Sequence, residues 1–475
     1  MDIDIQFLGD RLNSGDFKWQ CRAHRLTDHH VRCNIMRSFL WRFFGSSVLI
    51  GLLGASQSFA TDDFEREPIN YTQAVPENCI SRLQHRIAGG DAALEFEPHF
   101  GYLRSLLREL NVSTASQTLV FSKTSLQRHR ISPQTPRALY FNDDVYVGFC
   151  VGGDVVEISA VDPQLGTVFY ILDQKDATAP RISRQTDSCL LCHGSSQTSG
   201  IPGHLVRSVF PDASGLPILS AGTYRIDQNS PLERRWGGWY VTGTHGAQQH
   251  LGNLIIRGNQ VKEPVENSAG QNLTDLSDRF RPDSLLTPHS DIVALMVLEH
   301  QTMAHNLLTQ ASFSSRQALH SEAVLNKELG EPPDHRWNST TSRIRNAGEQ
   351  LLKYFLFAGE AKLTEAIQGN TDFAKEFAAQ GSRDRHGRSL RDFDLERRLF
   401  RYPCSYLLDS PSFEQLPDEM RNYVWNRLAE ILNSRDRSPT YAHLSENDRT
   451  AIREILAETH PHLPEDWVAK ATPAK

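Results

Sequence analysis

The sequence predicts an α+β protein in which a β-rich front segment precedes a mainly α-helical C-terminal segment. Two observations carry that expectation. From Ala138 to Leu172 apolar residues alternate with polar ones between turn residues, the period-2 signature of strands. After Pro288 the apolar spacing changes to three and four residues, the signature of amphipathic helices. A third feature, Cys189-Leu190-Leu191-Cys192-His193, speaks of chemistry rather than fold.

In chain order, residues 1–35 carry five acidic residues, scattered histidines, Cys21 and Cys33. They read as an upstream extension from a misassigned start, with translation beginning at Met36. Residues 36–60 have the form of a signal peptide. Arg37 and Arg42 precede the uncharged run Phe43–Ala60, and Ser58-Phe59-Ala60 offers a small-x-small cleavage site. Cleavage after Ala60 and a periplasmic or otherwise exported location are expected. Left uncleaved, this run is the chain's only expected membrane contact. The remaining residues, about 415, hold 43 basic and 52 acidic side chains, a net charge of −9. No basic block suggests nucleic acid. Their number calls for more than one domain: residues 61–289 as a β-rich domain with the cysteine motif, and 290–475 as a helical domain.

Within 61–289, Val145, Val147 and Phe149 alternate, Gly152-Gly153-Asp154 turns, and Val155–Ile158 returns. Asp162–Gly166 turns again, and Val168, Tyr170 and Leu172 alternate, so a β-meander is predicted. Further strands are expected at Leu216–Ile226, Gly238–Thr244 and Asn253–Arg257. Ser290 is the expected N-cap, with Asp291 in the first turn, of a helix from Ile292 to about Leu308. Helices are also expected at Arg343–Phe357, Glu360–Gln368, Pro417–Leu432 and Glu446–Glu458, the last opened by Ser445 with Asp448 three residues on. The polar stretch Gly381–Arg391 reads as a loop.

The spacing C-x-x-C-H is that of a c-type haem attachment site. Two thiols two residues apart can each add to one vinyl group of the porphyrin, and the histidine that follows becomes an axial ligand of the iron. Cys189 and Cys192 are the expected attachment points of one covalent haem c, and His193 its proximal iron ligand. Three other uses of a C-x-x-C pair compete. A zinc site ordinarily takes a second ligand pair, but the next cysteine is Cys404. A thioredoxin-like pair follows an apolar strand, whereas Gln185–Ser188 is polar and loop-like. A disulfide between such close cysteines makes a tight, strained loop. Of the other cysteines after residue 60, Cys79, Cys150 and Cys404, at most two can pair internally.

The second axial ligand decides between functions. Met296, His300, Met303 and Leu307 share one stripe of the helix after Ser290, and His305 lies off it. The distal candidates are Met303, His300, His305 and also His245, whose flanking Gly243 and Gly246 permit close approach to a flat cofactor. His204 and His250 stand further back. Against these, methionine on an apolar stripe is ordinarily core filler. Arg207, Arg225, Arg235, Trp236 and Trp239 are candidate propionate contacts, since guanidinium and indole N–H groups donate to carboxylates.

On these residues the chain resembles a c-type cytochrome, and more narrowly the large exported single-haem (CxxCH) cytochrome c domain-containing proteins, a group without an assigned role. The resemblance extends through Ser122-Lys123-Thr124-Ser125-Leu126-Gln127, the haem motif, Trp236-Gly237-Gly238-Trp239-Tyr240 and Arg401-Tyr402-Pro403-Cys404-Ser405. It implies haem attachment through Cys189 and Cys192 with ligation by His193, and it names no partner. The chain departs from a small cytochrome in its size, its β-rich front and the lack of a methionine-bearing loop soon after the motif. Single-electron transfer to a redox partner protein is the expected function. The alternatives are a haem enzyme of peroxidase or small-molecule oxidoreductase type, with Glu299 and His300 as acid–base groups, and a haem-based sensor with an open distal face.

Overall fold

The alternation read in the sequence folds as an antiparallel meander in the computed structural model. The structure describes residues 63–176, 179–258, 261, 264–460, 462–464 and 467, all within the compact unit Phe59–Lys475. The upstream extension 1–35 and the signal peptide 36–60 lie outside the described residues. Helices α1 (Cys79–Gly89) and α2 (Leu103–Glu109) come first, followed by strands β1 (Thr118–Val120), β2 (Arg137–Phe141), β3 (Val145–Phe149), β4 (Val155–Asp162), β5 (Gly166–Asp173) and β6 (Ile182–Gln185). After the single turn α3 (Leu190–His193) come β7 (Arg207–Val209), β8 (Thr223–Arg225) and β9 (Trp239–Tyr240). The rest is helical: α4 (Ile292–Leu329), α5 (Asn338–Phe355), α6 (Phe373–Ala379), α7 (Pro411–Glu414), α8 (Asp418–Leu432) and α9 (Glu446–Thr459). The protein is therefore α+β.

The seven-stranded sheet has the order β6-β5-β4-β3-β2-β1-β9, antiparallel at every pairing, while β7 and β8 form a separate ribbon. Period-2 alternation sends Val156, Ile158 and Ala160 of β4, and Val168, Tyr170 and Leu172 of β5, to a core shared with α1 and α2. The opposite face carries Glu157, Ser159, Thr167 and Phe169. On that side Phe141, Tyr146 and Val161 join the large core built around α4. Both faces are covered, which explains why β3 is buried at every residue.

Four sequence expectations are corrected. The N-cap of α4 is Asp291, whose carboxylate accepts from Val293 N (2.8 Å) and Ala294 N (3.2 Å). Ser290 Oγ instead donates to Tyr240 O (2.6 Å) and accepts from Leu119 N (2.9 Å), joining α4 to the sheet. The helix also runs far past Leu308, to Leu329, and ends at left-handed Gly330. Its polar residues do not break it, because the hydroxyls of Thr302, Thr309, Ser315 and Ser321 bond back to carbonyls four residues earlier. Segment 360–368 is not a helix. Its amides at Ala361, Leu363, Ile367 and Gln368 donate to Gln228, Arg397, Leu395 and Thr244, so long-range partners replace the i−4 carbonyls. Of the three later strands, 216–226 and 238–244 shrink to β8 and β9, and 253–257 keeps only a bridge from Ile256 to Asp212. Gly222, at a φ of 82°, interrupts the first of these. The capping box at Ser445 and Asp448 forms as read. Cys79, Cys150 and Cys404 are free thiols.

Candidate functional site

The cysteine motif follows three residues after β6, the edge strand of the sheet. The polar stretch read as a loop is one at residues 186–188, and only its first residue, Gln185, belongs to β6. Strand β6 runs antiparallel to β5 and α3 ends after four residues, so no βαβ unit surrounds the thiols. Cys189 and Cys192 are free thiols one helical turn apart, the first partly buried and the second exposed. Leu191 between them is 81% exposed, so an apolar surface accompanies the thiols into solvent. Burial, aided by the Glu157 carboxylate, holds the Cys189 thiol up at about 11. Among the described residues no group of three or more His, Cys, Asp or Glu side chains is arranged to hold a metal ion.

His193 is fixed through one nitrogen. Its Nδ1 lies 2.9 Å from the carbonyl oxygen of Gly203, which only accepts, so Nδ1 carries the proton and Nε2 presents its lone pair. Nε2 has no hydrogen-bond partner among the described residues. Burial lowers the imidazole below the usual histidine range, which keeps it neutral. The His193 carbonyl accepts from Gly203 N (2.8 Å) and Thr198 Oγ1 (3.1 Å), and Phe169 packs on the ring at 4.9 Å between centroids. A donated Nδ1–H with a free Nε2 is the arrangement that ligating histidines commonly show.

The residues that create this arrangement come from far along the chain. Asn306 of α4 clamps the backbone of His204, donating Nδ2–H to its carbonyl (2.7 Å) and accepting its N–H on Oδ1 (2.8 Å). Gly203 passes so close that a Cβ there would lie 2.4 Å from Asn306 Oδ1. Thr167 N donates to Pro202 O (3.2 Å), tying the same strap to β5. On the facing strands Arg137 and Glu157 form an ion pair of 2.7 Å whose charges act on both Cys189 and His193. Sequence reading missed Asn306, Gly203, Arg137 and Glu157. The only signal available was Arg137 and Glu157 at strand positions where apolar residues alternate.

The propionate candidates separate. Arg235 is buried, with Nη1 on Glu299 (2.8 Å), Nε on Ser230 O (2.8 Å) and Nη2 on Gln228 O (2.9 Å). Trp239 Nε1 donates to Arg207 O (2.8 Å), and Trp236 is fully buried with Nε1 unpartnered among the described residues. Arg207 and Arg225 are direct cross-strand partners on β7 and β8. Arg225 Nη1 donates to Gln197 O (2.8 Å), four residues after His193, and neither arginine pairs with a carboxylate among the described residues.

The distal candidates are engaged elsewhere. His300 is fully buried, donating Nδ1–H to Gln228 and accepting from Ser405 Oγ at Nε2 (2.9 Å). His305 donates Nε2–H to Asp143 O (2.9 Å), and its enclosed Nδ1 is unpartnered. His245 accepts Asn272 N–H at Nε2 (3.1 Å), which leaves the proton on its enclosed Nδ1. Its ring lies 4.6 Å from that of His250. His204 spends both nitrogens, on Ser159 Oγ (3.0 Å) and Thr167 Oγ1 (3.3 Å). Met303 packs, half-buried, against the α4 core, beside the buried Met296. Glu299 is fully buried against Arg235, with burial pushing its carboxyl up to about 8.

Comparisons with family models, curated proteins and solved structures found no match to this chain.

Proposed function

We propose that the chain is an exported monohaem c-type cytochrome that carries single electrons to a redox partner protein. One observation carries the reading: His193 is neutral, with Nδ1–H donated to Gly203 and Nε2 left unpartnered, immediately beside two free thiols one turn apart. These residues suit haem c, with Cys189 and Cys192 as attachment points and His193 as the proximal ligand. Bound haem supplies an iron that cycles between ferric and ferrous states. The chain's own residues hold the imidazole, bury one of its faces on Phe169 and leave Cys192 and Leu191 at the surface. An exposed edge of this kind suits electron exchange with another protein.

A second reading, a haem enzyme or sensor with an open distal face, is favoured by the distal histidines. Each described candidate has both ring nitrogens bonded or its remaining nitrogen enclosed. One experiment separates the two. The protein is produced with haem-maturation machinery, reduced, and exposed to CO. A low-spin c-type spectrum unmoved by CO supports the carrier. A high-spin spectrum that shifts on CO supports the second reading, and a protein that gains no covalent haem mass ends both.

A further inference from the structure

We infer that Asn306 is a positioning residue for His193, setting the orientation and basicity of the imidazole from helix α4. The inference rests on the haem reading for its consequence at the iron, and on the hydrogen-bond geometry alone for its effect on the imidazole. His193 is held by one residue of the strap, Gly203, through both its backbone groups: N–H to the His193 carbonyl (2.8 Å) and C=O from the ring Nδ1 (2.9 Å). The Gly203 carbonyl shares its planar peptide with the His204 N–H. The fixing comes from the next residue, where the Asn306 amide holds the His204 N–H and C=O together at 2.8 and 2.7 Å. The bond to the His204 N–H fixes the plane of the planar 203–204 peptide, so the Gly203 carbonyl of that same peptide is aimed at His193, and the bond to the His204 C=O holds the next peptide. Both Asn306 and His204 are buried, where a lost hydrogen bond is not replaced by water.

The side chain at 306 must also be small and flat. A Cβ on Gly203 would meet Asn306 Oδ1 at 2.4 Å and its Cγ at 3.0 Å. Gly203 has no left-handed backbone, so close approach alone demands glycine. Helix α4 thus reaches the imidazole by one continuous route, Asn306 to the 203–204 peptide to Nδ1–H. A stronger Nδ1–H bond makes the ring a better donor at Nε2 and favours the oxidised iron of a bound haem. Loosening the route raises the reduction potential.

The test uses the full-length chain with histidine labelled by ¹⁵N, produced with haem maturation. Hydrogen exchange of His193 Nδ1–H reports the bond whether or not haem is attached. Wild type is expected to show a protected Nδ1–H, and Asn306→Ala an exchange at least tenfold faster with an upward shift of potential in the haem-bearing protein. Gly203→Ala is expected to be as damaging alone and less damaging on the Asn306→Ala background, where the clashing Oδ1 is gone. If Asn306→Ala does not fold, Asn306→Asp keeps the acceptor for His204 N–H, loses the donor, and is expected to give intermediate exchange. Wild-type protection in these variants, or strictly additive effects of Gly203→Ala and Asn306→Ala, overturns the inference. A wild-type protein without covalent haem defeats the haem reading alone, and the exchange data still decide the role of Asn306.

Discussion

His193, half-buried, differs from the buried His204, His245, His300 and His305 in what its second nitrogen is left to do. His300 and His204 spend both nitrogens on neighbours, and His305 and His245 enclose the one they spare. Beside His193 the two thiols differ in exposure, which sets a mutational order. On the haem reading, Cys192→Ala leaves Cys189 to form one thioether, and haem should stay covalently attached in denatured protein by mass spectrometry. Cys189→Ala with Cys192→Ala should remove all covalent haem. Arg207 and Arg225 stand directly opposite each other, and like charges so placed are destabilising unless an anion lies between them. With a propionate there, Arg207→Gln with Arg225→Gln should lower the reduction potential by on the order of 60 mV, a tenfold change in the one-electron equilibrium. It should also steepen the dependence of the potential on pH as the carboxylate loses its partners. An unchanged titration would show that the pair faces no propionate. The proposed attachment residues stand out in sequence because covalent attachment of a haem would dictate their spacing. Asn306 and Gly203 do not, because their contact spans about a hundred residues and leaves no local pattern.

Helix α4 is the element that joins the parts of the protein, and its N-terminus bears the heaviest polar load. Besides capping Val293 and Ala294, the Asp291 carboxylate accepts from Asn370 N (2.9 Å), Thr371 N (3.0 Å) and Thr371 Oγ1 (2.9 Å), with 1% of the residue exposed. A simple cap lost to alanine costs about 1 kcal/mol. Asp291→Ala also strands two part-buried N–H groups of another segment, so a loss of about 2–3 kcal/mol is expected in urea unfolding. A loss below about 1 kcal/mol would mean that water reaches the vacated site. The same helix shows where sequence reading succeeds and stops. Its start and type followed from Ser290, Asp291 and the apolar stripe, but the cap fell one residue early because both side chains suit that position. Its far half was lost because Thr309, Ser312, Ser314 and Ser315 resemble a loop until the hydroxyls of Thr309 and Ser315 are seen bonded back along the helix. At 360–368 the error ran the other way. Leu363 and Ile367 at i and i+4 mimic a helix, but they anchor a chain whose amides bond to distant loops.

At the scale of the whole molecule, polar groups buried around α4 make stability depend on pH from both sides. Burial pushes His300 and His250 down to about 3 and His305 to about 4, and it lowers His204 well below the ordinary value of 6.5. In the unfolded chain each titrates near 6.5. Below that pH the unfolded state binds protons that the folded state refuses, so stability falls as pH drops. The contribution is complete above about 6.5 and is lost toward about 3–4, at about 1.4 kcal/mol per pH unit for each histidine. Burial acts oppositely on acids, raising Glu299 to about 8 and Glu360 to about 7. These stay protonated in the folded state while the unfolded chain ionises them near 4.5, so their contribution falls as pH rises through about 4.5 to 8. The two trends cross near pH 6–7, where the urea midpoint should be highest, with a steeper decline on the acid side because, among the described residues, six histidines are lowered and four carboxyls raised. By pH 4 the terms of His204, His250, His300 and His305 less those of Glu299 and Glu360 amount to about 8 kcal/mol, within the range of a net stability of about 5–15 kcal/mol, so acid unfolding is expected near pH 4. His300→Gln should be less stable than wild type at pH 7.5 and lose stability less steeply between pH 6.5 and 5. An unchanged slope would mean that His300 takes up its proton in the folded protein, which would require its bonds to Gln228 and Ser405 to open.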